Sequence, residues 1–508
     1  MLWLALHLPL LSLEAFCATL TPEQALHPAL LLTAHRVSHV NAAAAERGIR
    51  PGMQRATALA LAGDLLIAES DAARDAAALQ AVAHAALACT PAVTLHDGQT
   101  VLLEVQASLR LFGGLPALWQ RLLASVAPLG HRVHSAAAPT AQGAAWLARW
   151  QPSSDIAATA TPGPHAASLR ALQDRLDSAP LWLLGAGREQ GEALQGMGLH
   201  TLSDLRRLPR AGLARRFGAD LIGELDRALG LQPDPRVWLT LPAVFESRLE
   251  LYARAENSDQ VLAAAAVLLA RLVAWAQARQ VRVAIFTLAM QHEDHRHTAV
   301  PASELRIELA EPALDAGHLQ LLLRERLARV ELSAPTLELR LHCRDTVAAA
   351  APNGELFPTR SSEAEGLTRL LERLRARLGD AQVQRLVAVA DHRPECSSRS
   401  VPAHGALGRH TPGPPRPSAS ALPLHRPAWL LPEPLPLAAR GALPLLQGRL
   451  LQLLSGPERI ESGWWDSQPV ARDYFIAQTD DGSLVWVYRA RVPGATGDAD
   501  WHLQGRFA

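Results

Sequence analysis

The sequence predicts a multidomain α+β protein, and three observations support that class. The chain has 508 residues, 49% of them hydrophobic and 19% charged, which is enough for several folded domains. From residue 1 to about residue 170, short apolar runs alternate with alanine-rich helical stretches. Beyond a proline-rich stretch, aromatic-rich runs flank an Asp481-Gly482 turn, which is typical of a β-hairpin. We therefore expect mixed helix and sheet first and a small β-rich domain last.

The charge balance limits what the chain can bind by itself. It carries 49 acidic and 49 basic residues, and all the basic residues are arginine. A protein that binds DNA tightly on its own usually shows a basic excess or a basic stripe, because phosphate contacts supply most of the affinity. The balance predicts that any DNA binding is weak, local and not sequence-specific.

Cysteine usage and the start of the chain indicate the compartment. The four cysteines lack the spacing of metal ligands, so no metal site and no cofactor are predicted; they are Cys17, Cys89, Cys343 and Cys396. The first sixteen residues are apolar enough to imitate a signal peptide. They lack a basic start and are interrupted by His7 and Pro9, so we interpret them as a β-strand of a cytoplasmic protein without membrane contact.

The segment Asp97 to Gly114, DGQTVLLEVQASLRLFGG, carries a family resemblance together with the first strand, Trp3 to Pro9. Both segments resemble the Y-family translesion DNA polymerases and, among them, the divergent bacterial ImuB branch. The resemblance implies a palm over residues 1–170 with fingers inserted at about residues 18–75.

The resemblance also identifies where the polymerase metal ligands should stand. Catalytic members have an aspartate at the position of His7 and an Asp-Glu pair at the positions of Gln99 and Thr100. Magnesium prefers carboxylate oxygens, and two-metal catalysis needs ions about 4 Å apart held by shared anionic ligands. Glu104 cannot substitute, because four strand residues place it about 13 Å beyond Thr100. The palm is therefore predicted to be catalytically degenerate.

The fingers are predicted to have lost nucleotide binding as well. Active relatives place a Tyr and an Arg before the Gly-Ile turn to hold the incoming triphosphate, and here those positions are Ala42 and Ala45. A methyl group cannot bind phosphate. Alanine has the highest helix propensity, so the helix can be kept without its chemistry.

Residues 171–238 resemble the helix-hairpin-helix thumb of the family. The resemblance implies that Gly185 and Gly187 lie in a turn that offers backbone N–H groups to a DNA phosphate. The alternative is an ordinary helical connector with glycine C-caps, in which Thr201 is only a helix cap.

Residues 239–346 resemble the little finger, a small α/β domain that holds DNA in this family. Alternating polar and apolar residues predict a half-exposed sheet, from which Arg282, Arg306 and Arg340 could contact a DNA backbone. Acidic residues share that face, so a merely solvated surface is the alternative; they are Glu304, Glu308 and Glu338.

Residues 347–396 contain a candidate sliding-clamp peptide, Asn353 to Phe357, followed by a helix and a strand. In the family, a Leu-Phe pair plugs an apolar pocket of the clamp, and here Leu356 and Phe357 form the pair. The upstream glutamine is missing, and Asn353 could replace it at lower affinity. The alternative is a loop packed on its own domain. Asp391-His392 lacks further ligands and is interpreted as a turn.

The last 112 residues are predicted to contain a linker and a folded tail. Residues 397–440 are rich in proline and serine and predict an extended linker. Residues 441–508 carry Gly463-Trp464-Trp465 and Arg472 to Phe475, runs that match the ImuB tail, which the family uses for protein contacts. The alternatives are tryptophans buried in a β core and stacking on single-stranded DNA.

The resemblance implies an adaptor of error-prone translesion synthesis in the SOS response to DNA damage, located in the cytoplasm at the nucleoid. Its expected partners are DNA, the sliding clamp (β subunit), the RecA-like accessory protein ImuA and an error-prone C-family DNA polymerase. Two other functions stay open at this point. The chain could be an active Y-family polymerase with relocated carboxylates, or a damaged-DNA-binding protein that works without the clamp.

Overall fold

The computed structural model describes residues 1–151, 162–185, 191–294, 300–348, 360–379, 381–403, 426–427, 429–491 and 500–507. The chain divides into two compact units, residues 1–359 and residues 360–508. Both contain helices and sheets, so the predicted α+β multidomain class is confirmed.

The palm is built on a four-stranded antiparallel sheet in the order β5-β6-β1-β7. Apolar residues alternate between its faces: Leu4 and Leu6 pack on one side, and Trp3 and Ala5 pack on the other with the thumb. Its elements and those of the inserted fingers are β1 (Trp3–His7), α1 (Leu11–Cys17), β2 (Ala29–Thr33), β3 (Arg36–Val40), α2 (Ala42–Glu46), α3 (Arg55–Leu61), β4 (Leu66–Glu69), α4 (Ala72–Leu87), β5 (Val93–His96), β6 (Thr100–Glu104), α5 (Leu109–Phe112), α6 (Leu115–Val126), β7 (His134–Ala138) and α7 (Ala141–Arg149).

The two sides of the palm sheet carry different helices. Helices α1, α4 and α6 pack on the Leu4 face, and α7 packs on the Trp3 face. The fingers form a separate three-stranded sheet, β3-β2-β4, with its own small core around Leu30, Leu32 and Ile49. The LRLF run of the polymerase-like segment forms the short helix α5 and not the end of a strand.

The regular secondary structure in the described part of the thumb is helical. Its helices are α8 (Leu169–Leu176), α9 (Gly191–Gly196), α10 (Leu202–Arg206), α11 (Arg210–Phe217) and α12 (Ala219–Leu229). Thr201 and Asp204 form a reciprocal capping box at the start of α10, which satisfies backbone N–H groups that a helix start leaves free. Leu202, Leu205 and Leu225 share one core with α7 and the Trp3 face of the palm sheet.

The little finger is a four-stranded antiparallel sheet in the order β10-β9-β11-β8 with two helices. Its elements are β8 (Phe245–Ala255), α13 (Ser258–Ala278), β9 (Val281–His292), β10 (Ser303–Ala313), α14 (Ala316–Leu327) and β11 (Thr336–Ala348). In β10, Ile307 and Leu309 are buried while Glu304, Arg306 and Glu308 are exposed, as predicted for a half-exposed sheet.

Helix α13 is long and apolar enough to cross a membrane by length and composition alone. Most of it is buried inside the protein, where it contacts α4 of the palm, α14 and the little-finger strands. These contacts explain its apolar composition as that of a core helix.

The second unit is mainly β-structure. A seven-stranded sheet has the order β16-β15-β14-β20-β19-β18-β17, and β12 pairs with β13. The elements are α15 (Arg360–Leu378), β12 (Gln384–Ala388), β13 (Ser398–Pro402), β14 (Trp429–Arg440), β15 (Leu443–Leu446), β16 (Arg449–Leu450), β17 (Gln452–Ser462), β18 (Val470–Gln478), β19 (Leu484–Ala490) and β20 (Trp501–Arg506).

Strands β13 and β14 lie within the segment 397–440 that the sequence predicts as a linker. Both ends of that segment therefore belong to folded sheets, because β13 pairs with β12 and β14 pairs with β20. The prediction of an extended linker, which rested on the proline content, was wrong for these residues. A strand can contain proline at positions where its missing N–H is not needed for a ladder hydrogen bond. The proposed domain boundaries stay a prediction.

Candidate functional site

The register of the palm sheet aligns three histidines and a threonine across all four strands. Thr100 of β6 pairs with His96 of β5 on one side and with His7 of β1 on the other, and His7 pairs with His134 of β7. The imidazole rings of His7 and His134 are 6.5 Å apart. This row lies at the end of the sheet where the sequence places the polymerase metal ligands.

His7 is buried and bonded inside this row. Its side chain is 5% exposed, and its Nδ1 is 3.0 Å from Thr100 Oγ1. The pKa of His7 is lowered to about 4, mainly by burial; the Asp97 carboxylate partly opposes this shift, and the positive charge of Arg149 adds to it. The imidazole is neutral at pH 7, so the pair presents neither negative charge nor a free carboxylate.

Asp97, a residue that the sequence did not indicate as a site, places a carboxylate close enough to act on the charge of His7 and His96. It stands at the tip of the β5–β6 hairpin, where Asp97 and Gly98 both have positive φ, +49° and +72°. Two of the three residues of this turn, Asp97 to Gln99, must therefore tolerate left-handed backbone, which explains Asp-Gly here. Asp97 Oδ2 lies 3.3 Å from Arg149 Nη1 of α7, so its charge is already paired.

Gln99 and Arg236 complete the surroundings of the row. Gln99 is half-buried, and its carbonyl accepts a hydrogen bond of 2.9 Å from the Leu8 N–H. Arg236 reaches His96, with Nη1 3.1 Å from Nδ1, and pairs with Asp234 at 2.5 Å. Within the described part of the chain, no three His, Cys, Asp or Glu side chains are close enough to hold a metal ion. The row itself consists of three imidazoles and a hydroxyl, and the carboxylates beside it, those of Asp97 and Asp234, are paired with arginines.

In the fingers, the positions predicted for the triphosphate carry only methyl groups. Ala42 is exposed and Ala45 is half-buried on α2, which Asn41 caps through the Ala44 N–H at 2.9 Å. Arg50 folds back onto this helix and donates from Nη1 to the Ala45 carbonyl at 2.7 Å. The sequence therefore keeps a capped helix here without a phosphate-binding side chain.

In the thumb, the predicted phosphate donor is already occupied. The Gly185 N–H donates to Glu224 Oε2 at 2.9 Å, and Glu224 Oε1 accepts from Gln142 at 3.3 Å. Glu224 lies on α12, so sequence spacing gave no signal of this contact. Gly187 lies outside the described residues.

The little-finger arginines share their sheet face with carboxylates. Arg340 pairs directly with Arg248 across β11 and β8, and both guanidinium groups bind Glu338 at 2.6 Å. Arg306 is exposed on the same face, and Arg282 is half-buried nearer one end of β9. Arg248 was missed by sequence reasoning, because only the sheet register places it beside Arg340.

Two further candidate sites follow the little finger in the chain. Asn353, Leu356 and Phe357 lie outside the described residues. Asp391 accepts hydrogen bonds from the Arg393 backbone N–H at 2.8 Å and from its guanidinium, an arrangement that agrees with the predicted turn.

Gly463-Trp464-Trp465 forms an exposed tryptophan pair. The two side chains are 79% and 53% exposed, with ring centroids 5.2 Å apart. Arg393 lies 5.8 Å from the Trp465 ring and also pairs with Asp466, which ties this loop to the turn after β12. Gly463 is required, since a Cβ there would lie 2.2 Å from the Gln468 carbonyl oxygen.

Comparison with known proteins identifies relatives of this chain by sequence. No family model matches the chain. The chain is 30% identical over 481 residues to Protein ImuB of Caulobacter vibrioides strain NA1000 / CB15N and equally to that of strain ATCC 19089 / CIP 103742 / CB 15. The alignment covers 91% of this chain and 100% of each relative.

Among solved structures, the similarity is more distant. A Dbh ternary complex is 15% identical, with a TM-score of 0.38, and covers 68% of this chain and 100% of its own. DinB from Sulfolobus solfataricus is 15% identical, with a TM-score of 0.37, and covers 69% of this chain and 100% of its own.

Proposed function

The chain belongs to the ImuB family, and from that premise we propose that it is a non-catalytic Y-family homologue that serves as an adaptor in error-prone translesion synthesis. In this proposal the chain holds other proteins at damaged DNA and leaves nucleotide transfer to a partner polymerase. Its place of action is the cytoplasm, at the nucleoid.

The single observation that carries the proposal is the buried contact between His7 and Thr100. Two-metal phosphoryl transfer needs anionic ligands at these two positions to bridge the ions. Here the imidazole of His7 and the hydroxyl of Thr100 form a hydrogen bond of 3.0 Å, and Asp97 is paired with Arg149. Neutral ligands are poor for magnesium, which is a hard cation that prefers carboxylate oxygens.

The fingers support the same proposal independently. Nucleotide polymerisation also requires that the triphosphate be oriented, because positioning and charge stabilisation supply most of the rate in phosphoryl transfer. Ala42 and Ala45 offer no donor for this task, and the guanidinium of Arg50 is directed to the Ala45 carbonyl. Binding of the nucleotide and binding of the metal are thus both undermined.

The proposed partners are the sliding clamp, a RecA-like accessory protein of the ImuA type and an error-prone C-family polymerase. The clamp contact is assigned to Asn353, Leu356 and Phe357 of the sequence. The exposed tryptophan pair is a suitable second contact surface, since aromatic side chains dominate interface energetics. Several weak contacts on one chain give avidity through effective concentration.

DNA binding by the chain itself is proposed to be weak. The formal charge is zero, and the arginines of the little-finger face alternate with Glu304, Glu308 and Glu338. Glu338 binds both Arg248 and Arg340. The two arginine side chains must therefore break their hydrogen bonds to the Glu338 carboxylate before they can contact phosphate.

Two measurements on one preparation of the full chain test the proposal. Primer extension with magnesium or manganese should give no product, whereas metal-dependent extension would refute the non-catalytic assignment. Calorimetry should show clamp binding that is lost in a Leu356→Ala/Phe357→Ala variant and kept in a Leu111→Ala control, which removes a leucine that is 83% exposed elsewhere. Unchanged binding in the double variant would move the clamp contact to another segment.

A further inference from the structure

A cavity of about 510 Å³ lies between the palm and the little finger. Helix α4 forms one wall, the edge strand β8 forms another, and Arg271 of α13 lines the cavity with them. Small-molecule sites in proteins commonly measure about 300–1,000 Å³. Helix α4 packs on the Leu4 face of the palm sheet, opposite the face that carries His7, so this cavity is separate from the degenerate polymerase site.

Arg271 is a buried cation without a carboxylate partner. It is 5% exposed, and its Nη1 donates to Ser247 Oγ at 3.2 Å and to the Arg248 carbonyl at 3.4 Å. Among the described residues, no carboxylate forms an ion pair with its guanidinium, and its hydrogen bonds are made by Nη1, not by Nε or Nη2. Burial lowers its pKa, with no acidic neighbour to offset that effect. A buried charge of this kind is costly unless an anion or water compensates it.

Two further groups of α4 line the same cavity. His84 is 7% exposed, and its Nε2 is buried without a hydrogen-bond partner. Burial lowers the pKa of His84 to about 4, so the ring is neutral at pH 7 and Nε2 can donate or accept. Arg74, with a side chain 16% exposed, donates from Nη2 to the Glu69 carbonyl at 3.3 Å. Its buried Nε makes no hydrogen bond and lies 4.0 Å from Asp75 Oδ1.

The acidic residues that line the cavity are engaged elsewhere. Asp71 caps α4 by accepting from the Ala73 and Arg74 N–H groups at 2.8 and 3.2 Å. Glu250 pairs with Arg248 at 3.3 Å, and Glu246 lies 4.0 Å from His342, both on the open face of the little-finger sheet. The interior of the cavity therefore has two guanidinium groups and an uncommitted imidazole nitrogen.

We propose that this cavity binds a phosphorylated small molecule of nucleotide size, with its phosphate at Arg271 and Arg74. A guanidinium presents a planar fork of donors that matches phosphate oxygens, and a charge-assisted bond in a partly closed site is stronger than one in water. The remainder of the ligand lies along α4, where Gln80 and His84 supply polar contacts. The polymerase-like site plays no part in this binding.

Calorimetry with the full chain tests the site, with three probes: adenosine 5′-monophosphate, inorganic phosphate and succinate. One molecule of the nucleotide should bind per chain, phosphate should bind more weakly, and succinate should not bind. Arg271→Met should weaken nucleotide binding at least about tenfold. Arg279→Met is the matched control on the same helix, because Arg279 bonds to the Pro242 carbonyl at 3.2 Å and does not line the cavity.

A second variant keeps the test decisive if Arg271→Met does not fold. Gln80→Glu places a carboxylate at the cavity from an exposed position of α4, where glutamate is a good helix former. It should weaken nucleotide binding at least about tenfold while the thermal midpoint stays unchanged. The proposal is overturned by absence of binding at millimolar probe, by binding of succinate alone, or by nucleotide binding that neither variant weakens.

Discussion

His7 and Thr100 face each other across β1 and β6, and their contact defines the chemistry left at this end of the palm. Both side chains are buried, so each needs a hydrogen-bond partner inside the protein. Each supplies the other, and the pair is therefore a structural unit of the sheet. A buried carboxylate at either position would need a cation to balance it.

Replacing Thr100 with valine should destabilise the first unit by about 1–2 kcal/mol, because the His7 Nδ1 atom would lose its partner in a buried site. Urea unfolding followed by circular dichroism measures the change. Thr94→Val is the matched control, since Thr94 is also buried in this sheet but its hydroxyl makes only a 3.5 Å contact with the Leu95 carbonyl. Equal losses in both variants would contradict a special role of the His7 contact.

His84 should make the first unit sensitive to acid. Its pKa is about 4 in the folded chain and 6.5 ordinarily, so the unfolded chain takes up the proton first as the pH falls. The stability contributed by the neutral ring is present above pH 6.5 and decreases between pH 6.5 and pH 4, by up to about 3 kcal/mol. Unfolding free energies at pH 7.5 and 5.0 should therefore differ less in His84→Leu than in the parent. His200→Leu, which replaces an exposed histidine, should leave the difference unchanged.

At the level of single elements, the pairing of β11 with β8 determines which charged groups the little-finger sheet exposes. The register puts Arg340 beside Arg248, and two adjacent guanidinium groups would repel each other without a carboxylate between them. Glu338, with a side chain only 10% exposed, supplies that carboxylate to both. One buried acid thus keeps two of the exposed arginines occupied.

Glu338→Gln should increase DNA affinity about three- to tenfold at low salt, because both arginines become available to phosphate. The logarithm of the affinity should also fall more steeply with salt concentration, as expected for additional phosphate contacts. Fluorescence anisotropy with a labelled primer-template measures both quantities. Glu46→Gln, which removes an exposed charge in the fingers, should change neither. An unaltered affinity in Glu338→Gln would mean that this face does not contact DNA.

At the scale of the whole molecule, the chain combines a polymerase-like first unit with a second unit that has its own aromatic core. Tyr474, Trp486 and Trp501 are buried in the seven-stranded sheet, whereas Trp464 and Trp465 are exposed beside it. Exposure of two adjacent tryptophans is costly in water and is typical of a protein contact surface. In the proposed adaptor function, this tryptophan pair is a contact surface for a partner protein.

Trp464→Ser/Trp465→Ser should leave the stability of the second unit within about 0.5 kcal/mol, because the changed side chains are exposed. The same change should weaken binding of the accessory protein or of the partner polymerase at least about thirtyfold, as expected for hot-spot tryptophans. Pull-down and calorimetry with each purified partner provide the readout. Trp486→Ala, by contrast, should unfold the sheet, since it removes a buried ring stacked on Tyr474 at 4.2 Å. Full retention of both partners in the double variant would exclude the tryptophan pair as the contact.

Much of this architecture was predictable because local patterns carry it. The alternation of polar and apolar residues from Glu304 to Leu309 predicted a half-exposed strand, and the apolar run from Ser258 predicted a long helix. Asp481-Gly482 predicted the turn between β18 and β19. Strand β14 was missed, since its three prolines hide a strand whose pairing partner, β20, lies more than sixty residues later.

The fold class, the family resemblance and the residues at the polymerase positions were all evident from the chain alone, because each depends on residue identity and short-range periodicity. What those residues do depends on their contacts in the folded protein. Sheet register joins His7 to Thr100, helix packing brings Glu224 to Gly185, and domain packing buries Arg271 beside His84. These contacts form between residues distant in the chain, and their energies depend on burial, which no local pattern records.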